Sequence, residues 1–291
     1  MTMHILIVPT EEFLPARNPL AGIFQGHQIE AMRGTGTEKF GVLSIRLRYS
    51  VPMFLKNMLR RITFRPSDAS LPVSGFAALG RELLRRWTRP QSTLVMDDWN
   101  GTPVLRIEGL YGTAPSPRHD PIWWQRTGMA AYKAYCEKFG RPDLIHAHNS
   151  LPAGLLAARI ARRDGVPYIL TEHSSSFELG QVPARWFPAI RKAIAGAQGF
   201  LPVSRALFGS LERALGPLTV HSSVIGNVLP PAFARVERPA RHEGPTRFLT
   251  VGSLLPVKNQ KLLIDAFATL ADSRPDARLV FVGDGVLRRE L

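Results

Sequence analysis

One pattern constrains the fold of this chain more than any other. A short apolar run rich in β-branched residues is followed by a loop, then by a stretch with apolar residues at helical spacing, and the unit recurs. Its first instance is a strand over residues 4–8, a loop over 9–20 carrying three prolines, and a helix over 21–32. Further strands are predicted at 40–45, 104–107, 144–147, 168–171, 200–203 and 220–225, and further helices at 122–139, 153–163, 188–195 and 204–215. Strands joined by crossover helices pair in parallel, and a parallel sheet carries helices on both faces. The expected fold class is α/β, with a doubly wound parallel sheet filling a first domain, residues 1–226.

The pattern fails between residues 227 and 246, where Pro230, Pro231, Pro239 and Pro245 interrupt a charged stretch containing Arg235, Glu237, Arg238, Arg241 and Glu243. Such a composition reads as a linker. A second domain is expected over 247–291: a strand at 247–251, a loop at 252–257, a helix at 258–271, a strand at 278–282 and the turn Gly283-Asp-Gly285. Two strands and barely two helices cannot cover both faces of a parallel sheet, so this domain is expected to be incomplete, as though truncated.

Composition narrows the class. With 45% hydrophobic residues, 15 Phe and 5 Trp in 291 residues, the chain can bury a core and is not disordered. No run approaches the roughly 18 apolar residues of a membrane span. The start has no basic region and an apolar run of four residues, too short for a signal peptide, so a cytoplasmic location is expected. Cys136, the single cysteine, shares helical spacing with Met129, Tyr132 and Phe139 and is expected in the core, as neither metal ligand nor nucleophile.

The formal charge of +14 is unevenly placed: residues 46–92 hold ten basic residues against two acidic ones. A basic sector favours anionic partners. Within it, residues 53–62 and 76–87 have amphipathic patterns, with Lys56, Arg60, Arg61, Arg81 and Arg85 opposite the apolar positions. These read either as sheet-covering helices with solvated arginines or as a face for an anionic membrane or a lipid-phosphate acceptor. No nucleic-acid recognition motif accompanies the charge, so nucleic acid is not an expected partner.

Ligands of doubly wound sheets bind beyond the carboxyl ends of the strands. After the first strand, Gly22 stands at the mouth of a helix, where free N–H groups suit an anion; the alternative is a glycine that only permits a tight turn. His146 and His148 end one predicted strand, and His173, followed by three serines, ends the next. His146 and His148 are read as pointing to opposite faces of their strand, which argues against a metal site, and no metal or cofactor is expected. His146 is expected to be a hydrogen-bonded core residue and His173 the functional one, a hydrogen-bond donor or proton carrier to a phosphate or sugar. In the second domain Lys258 opens a helix, a poor place for a cation unless an anion lies between them, so it is a phosphate-ligand candidate; Lys261 reads as solvated. Asp97-Asp-Trp-Asn-Gly101 reads as a hairpin turn rather than a metal site. Gly283-Asp-Gly285 has Arg288 where a dinucleotide fingerprint has its third glycine.

These blocks occur in a telling order. Residues 18–32, Pro142-Asp-Leu-Ile-His-Ala-His148, Gly165-Val-Pro-Tyr-Ile-Leu-Thr-Glu-His-Ser-Ser175, Pro202-Val-Ser204, Val224-Ile-Gly-Asn227, residues 251–267 and Leu279-Val-Phe-Val-Gly-Asp-Gly285 resemble the retaining glycosyltransferases of family 4. The resemblance covers most of the chain. It implies the GT-B fold, two facing Rossmann-like domains with the acceptor mainly on the first and a nucleotide-sugar donor mainly on the second. It also implies that the histidine at position 173 lines the transferred sugar and the diphosphate, and that Gly22, Ser253 and Lys258 hold the donor diphosphate. Two features depart from the family. Members commonly carry Arg where this chain has Ser253, and their Glu-x7-Glu segment would fall after Leu291. Transfer of a sugar to a glycan or lipid-linked acceptor is thus the expected function. An inactive acceptor- or membrane-binding module is the alternative, and weak binding of free nucleoside diphosphate is expected of this chain.

Overall fold

The computed structural model describes residues 2–15, 22–33, 36, 38–48, 93–110, 121–230, 232–233 and 244–291. The amphipathic segments 53–62 and 76–87 and the loop residues 16–21 lie outside the described residues. The chain forms two compact units, Met1–Pro230 and Pro231–Leu291.

In the first unit a seven-stranded sheet is built from β1 (Met3–Pro9), β2 (Glu38–Arg48), β3 (Thr93–Trp99), β4 (Thr102–Leu110), β5 (Leu144–His148), β6 (Tyr168–Glu172) and β7 (Gly199–Pro202), in the order β3-β4-β2-β1-β5-β6-β7. All neighbours pair in parallel except β3, which lies antiparallel to β4. Their hairpin turns at Asn100 and Gly101, both at positive φ (50° and 75°), the conformation a two-residue hairpin favours. Asp98 accepts the Gly101 N–H at 2.8 Å and Asp97 pairs with Arg106 at 2.9 Å, so both aspartates serve the hairpin.

The central strand shows why the apolar runs are continuous. Leu6 and Val8 point into one core and Ile5 and Ile7 into the other, because successive side chains of a strand face opposite ways. The larger core is closed by α2 (Pro121–Phe139), α3 (Leu155–Asp164), α4 (Phe187–Ala195) and α5 (Arg205–Leu215), which contribute Trp124, Tyr132, Ile160, Ile194 and Leu211. The smaller is closed by α1 (Ile23–Arg33) through Ile29, with Phe13. Cys136 packs half-buried against the larger core rather than inside it, and burial pushes its thiol up.

The strand expected at 220–225 is not formed as such. The segment runs beside β7, exchanging bonds through His221, Ser223 and Ile225, yet makes only an isolated bridge at Ser222. β7 is four residues long and Ser204 caps α5 two residues after it, so the ladder runs out of partners. Val224 and Ile225 are exposed in consequence.

The second unit pairs β8 (Arg247–Val251) in parallel with β9 (Arg278–Val282), with α6 (Gln260–Ala271) between them in sequence. The helix expected from residue 258 begins at Gln260. Asn259 adopts a left-handed conformation (φ 49°, ψ 45°), which separates α6 from a short turn, Pro256–Lys258.

Candidate active site

Strand order reverses between β1 and β5, because the chain leaves β1 for one side of the sheet and returns to the other. A crevice opens at the carboxyl ends of strands at such a point. Thr10, just past β1, closes the seam by donating its hydroxyl to the His148 carbonyl at 2.8 Å. Asn149, just past β5, has φ 70° and ψ 137°, a costly conformation for a residue with a side chain. Three bonds hold it there: its N–H to the Thr171 carbonyl (2.7 Å), its carbonyl from the Gly154 N–H (3.0 Å), and its side-chain oxygen from the His173 N–H (3.0 Å).

The three histidines converge. His146 and His148 lie on the same face, their rings 4.4 Å apart between centroids, so the expectation that they diverge is corrected. Alternation in a strand separates residues i and i+1, whereas a spacing of two returns to the same side. His146 is buried and bonded to the Thr171 hydroxyl at 2.7 Å, a satisfied core residue as expected. His148 Nδ1 lies 2.9 Å from His173 Nε2, with the two rings tilted by only 16°. The 5.1 Å between their centroids is that of two rings joined edge to edge through this bond. The other ring nitrogen of His173, Nδ1, lies 2.7 Å from the Asn227 side-chain oxygen, and the Phe24 ring packs 4.6 Å from its centroid. Both nitrogens of His173 are therefore engaged.

Burial governs the protonation of the cluster. It lowers His173 to about 4, with the bond to Asn227 acting the other way. It lowers His146 to about 3, helped by the charge His173 would carry, and holds His148 well below the usual range. All three rings are neutral near pH 7, so each has one N–H and one lone pair. Among the described residues no group of three or more His, Cys, Asp or Glu side chains is arranged to hold a metal ion.

Glu172, a residue the sequence reading passed over, ties the site together. It is 1% exposed, and its carboxylate accepts the Ser150 N–H at 2.7 Å and the Ser174 N–H at 3.0 Å. Burial pushes its carboxyl up, and these N–H groups pull it back. One buried acid thus fixes the loops after β5 and β6 to each other. Gly22 caps α1 at φ 77°, with its carbonyl accepting from the Gln25 and Gly26 N–H groups. The first N–H groups of α1 have no partner within the helix. Phe24 brings this helix mouth beside His173.

Ser253 and Lys258 share a loop of the second unit, after β8, and both are exposed. The loop is braced by Gln260, whose amide donates to the Ser253 carbonyl at 2.9 Å, and by the Leu254 N–H, which donates to the Asp284 carbonyl at 2.9 Å. Gly283 must be a glycine: a Cβ there would stand 1.9 Å from the Gly252 carbonyl oxygen. Lys258 ends the short turn instead of opening α6. Lys261 forms an exposed i,i+4 pair with Asp265, as expected of a solvated residue. Within the first unit the structure brings His173, His148, Asn149, Asn227 and the helix at Gly22 together; within the second, Ser253 and Lys258. Asn227 was visible in sequence only as part of the block Val224 to Asn227, with nothing to name its partner.

Residues 73–232 match the family model described as Glycosyltransferase Family 4, and residues 234–291 match that described as Glycosyl transferases group 1. TuaC of Bacillus subtilis (strain 168), whose name assigns it to teichuronic acid biosynthesis as a glycosyltransferase, is 25% identical over 299 aligned positions, which cover 99% of this chain and 67% of TuaC. An uncharacterized glycosyltransferase of Methanocaldococcus jannaschii is 26% identical over 154 positions, 51% of this chain and 39% of that one. Among solved structures, Anabaena Alr3699/HepE in complex with UDP aligns over 99% of this chain and 63% of its own, with a TM-score of 0.53 and 15% identity. A trehalose-phosphate synthase (UDP-forming) from Burkholderia xenovorans, in complex with glucose-6-phosphate, aligns over 98% and 66%, with a TM-score of 0.58 and 11% identity. The likeness to these structures is one of fold, and the chain spans about two thirds of their length or less.

Proposed function

The chain belongs to glycosyltransferase family 4, whose model covers more than half of it, and from that premise we propose that it moves a sugar from a nucleoside-diphosphate donor to an acceptor hydroxyl with retention of anomeric configuration. The acceptor is a glycan or a lipid-linked molecule, in polysaccharide or glycolipid biosynthesis. One observation carries the reading: His173, neutral and with both ring nitrogens engaged, is bonded to His148 at the reversal of strand order and stands beside the mouth of α1. The relatives add chemistry, since one is named for teichuronic acid biosynthesis and a solved neighbour holds UDP.

The chemistry assigns roles. By analogy with glycoside hydrolysis, an oxocarbenium-like transition state leaves negative charge on the departing diphosphate, and preorganised donors aimed there lower the barrier. The helix mouth at Gly22 offers N–H groups, Ser253 its hydroxyl and N–H, and Lys258 the formal positive charge. A neutral His173 contributes orientation and an N–H rather than a full charge, and is not a nucleophile. A donor screen with UDP-, GDP-, ADP- and TDP-sugars tests the proposal: nucleoside diphosphate released together with an α-linked product from an α-linked donor supports it. Acceptor binding with no turnover of any donor would favour the binding module.

The basic sector at 46–92 supports peripheral contact with an anionic membrane at its cytoplasmic face. No helix among the described residues is long and apolar enough to cross a membrane. Vesicles containing anionic lipid should retain the protein at low salt and release it as the Debye length falls from roughly 30 Å at 0.01 M to about 10 Å at 0.1 M. Glutamine at Lys56, Arg60, Arg61, Arg81 and Arg85 should weaken retention by up to about 1 kcal/mol per residue. Equal retention on neutral vesicles would remove the membrane from the reading.

A further inference from the structure

We propose that Asn227 is a positioning residue for His173, fixing its imidazole as the Nδ1–H tautomer through a relay that ends on His148. Three bonds or contacts determine the ring. Its Nδ1 faces the Asn227 side-chain oxygen at 2.7 Å, its Nε2 faces His148 Nδ1 at 2.9 Å, and Phe24 packs against it. An amide oxygen only accepts, so the proton of a neutral His173 lies on Nδ1. Its Nε2 is then a lone pair, which requires His148 to donate from Nδ1. The direction of the relay is settled at its Asn227 end. It terminates on His148 Nε2, a buried nitrogen without a hydrogen-bond partner among the described residues, which in this tautomer is a bare acceptor. Leaving that atom unpaired costs stability, and the relay persists despite it.

The two ends of the relay differ in access. His148 is 0% exposed, whereas Asn227 is exposed and its bond to His173 lies at the surface of the unit. The bond to Asn227 is therefore the one a ligand can exchange. Whatever replaces the amide must itself offer an oxygen acceptor to the Nδ1–H, as a diphosphate or a sugar oxygen does. On the proposed function, Asn227 keeps the proton on the outward nitrogen and the ring aimed outward until a donor oxygen takes its place.

Imidazole nitrogen shifts of the selectively labelled 291-residue chain at pH 7 test this without reference to activity. The expected result is His173 as the Nδ1–H tautomer. Asn227→Ala should move it toward Nε2–H or a mixture, and Asn227→Asp, which keeps an acceptor at the same place, should retain Nδ1–H. With any sugar donor that the protein turns over, Asn227→Ala should lower kcat on the order of ten-fold with a smaller change in KM, and Asn227→Asp should recover most of it. An Nε2–H tautomer in the parent protein, or a tautomer indifferent to Asn227→Ala, would overturn the proposal. The expected tautomers in a protein that turns over no donor would leave Asn227 as the positioning residue and remove the glycosyl-transfer reading instead.

Discussion

The same strand-loop-helix grammar has opposite surroundings in the two units. β1 is buried from its second residue to its last, and β5 from its second, whereas β8 has no buried residue and β9 none. Leu249, Val251 and Val282 are 63%, 72% and 51% exposed, and Ile145 is 0% exposed. A parallel strand's apolar run implies two covered faces, and only the first unit supplies them. The candidate sites inherit this contrast. In the first unit, the candidate site rests on buried polar groups, His146, His148 and Glu172, each tied by hydrogen bonds across strands. In the second, the exposed Ser253 and Lys258 are placed by backbone crossings and by one buried glutamine. A site can be held by its core or by its loop geometry, and substitutions should tell the two apart.

The largest contrast should come from truncating one strand residue in each unit. Ile145→Ala removes fully buried methyl groups and should cost about 2–5 kcal/mol. It is read from the tryptophan-monitored urea transition, since all five tryptophans lie in the first unit. Leu249→Ala should change the exchange protection of β8 and β9 amides by no more than about 0.5 kcal/mol. A loss above about 1 kcal/mol there would show that the strand has a covered face and would break the comparison.

In a protein with measurable transfer, His173→Ala and Lys258→Ala should each lower turnover on the order of ten-fold to thousand-fold, by analogy with the loss of other preorganised donors. The histidine variant tests the buried site and the lysine variant the exposed one. Unchanged turnover in both, with folded protein, would remove the assigned residues.

Acid should then separate the units. His173 and His146 are lowered by burial to about 4 and about 3, so between their unfolded value near 6.5 and these folded values the unfolded chain binds more protons. Stability therefore rises with pH through that window and is lost as pH falls, by up to about 1.4 kcal/mol per pH unit for each imidazole. The described residues of the second unit include no histidine. From pH 7 to pH 5 the tryptophan transition should move to lower urea while β8–β9 protection stays constant, and a transition indifferent to pH would refute the buried neutral cluster.

Much of this was legible in the residues themselves. Short apolar runs locate β1, β5 and β6, and a histidine at a strand end followed by serines singles out His173. Four features were not legible, each for a physical reason. The pairing of 220–225 depends on how long β7 remains available, which its own residues do not reveal. The start of α6 depends on the left-handed turn at Asn259, a conformation asparagine tolerates without requiring it. The partnership of Asn227 with His173 joins loops 54 residues apart, and hydrogen bonds between loops leave no period in a sequence. Glu172 was missed because a buried acid looks like any strand residue until the N–H groups it satisfies are seen.

The smallest effect concerns Lys261, which sharpens the assignment of its neighbour. It sits in the first turn of α6, where the helix dipole disfavours a cation, and its pair with Asp265 spans 3.4 Å with both side chains well exposed. Exposed i,i+4 pairs contribute about 0.3–0.5 kcal/mol, and less when the cation precedes the acid, so pair and dipole nearly cancel. Lys261→Ala should therefore shift stability by less than about 0.5 kcal/mol. Turnover should stay at the parent level while Lys258→Ala lowers it, because only Lys258 belongs to the loop after β8. Equal losses in the two variants would mean that general positive charge near α6 acts on the donor, and that the loop places no particular lysine.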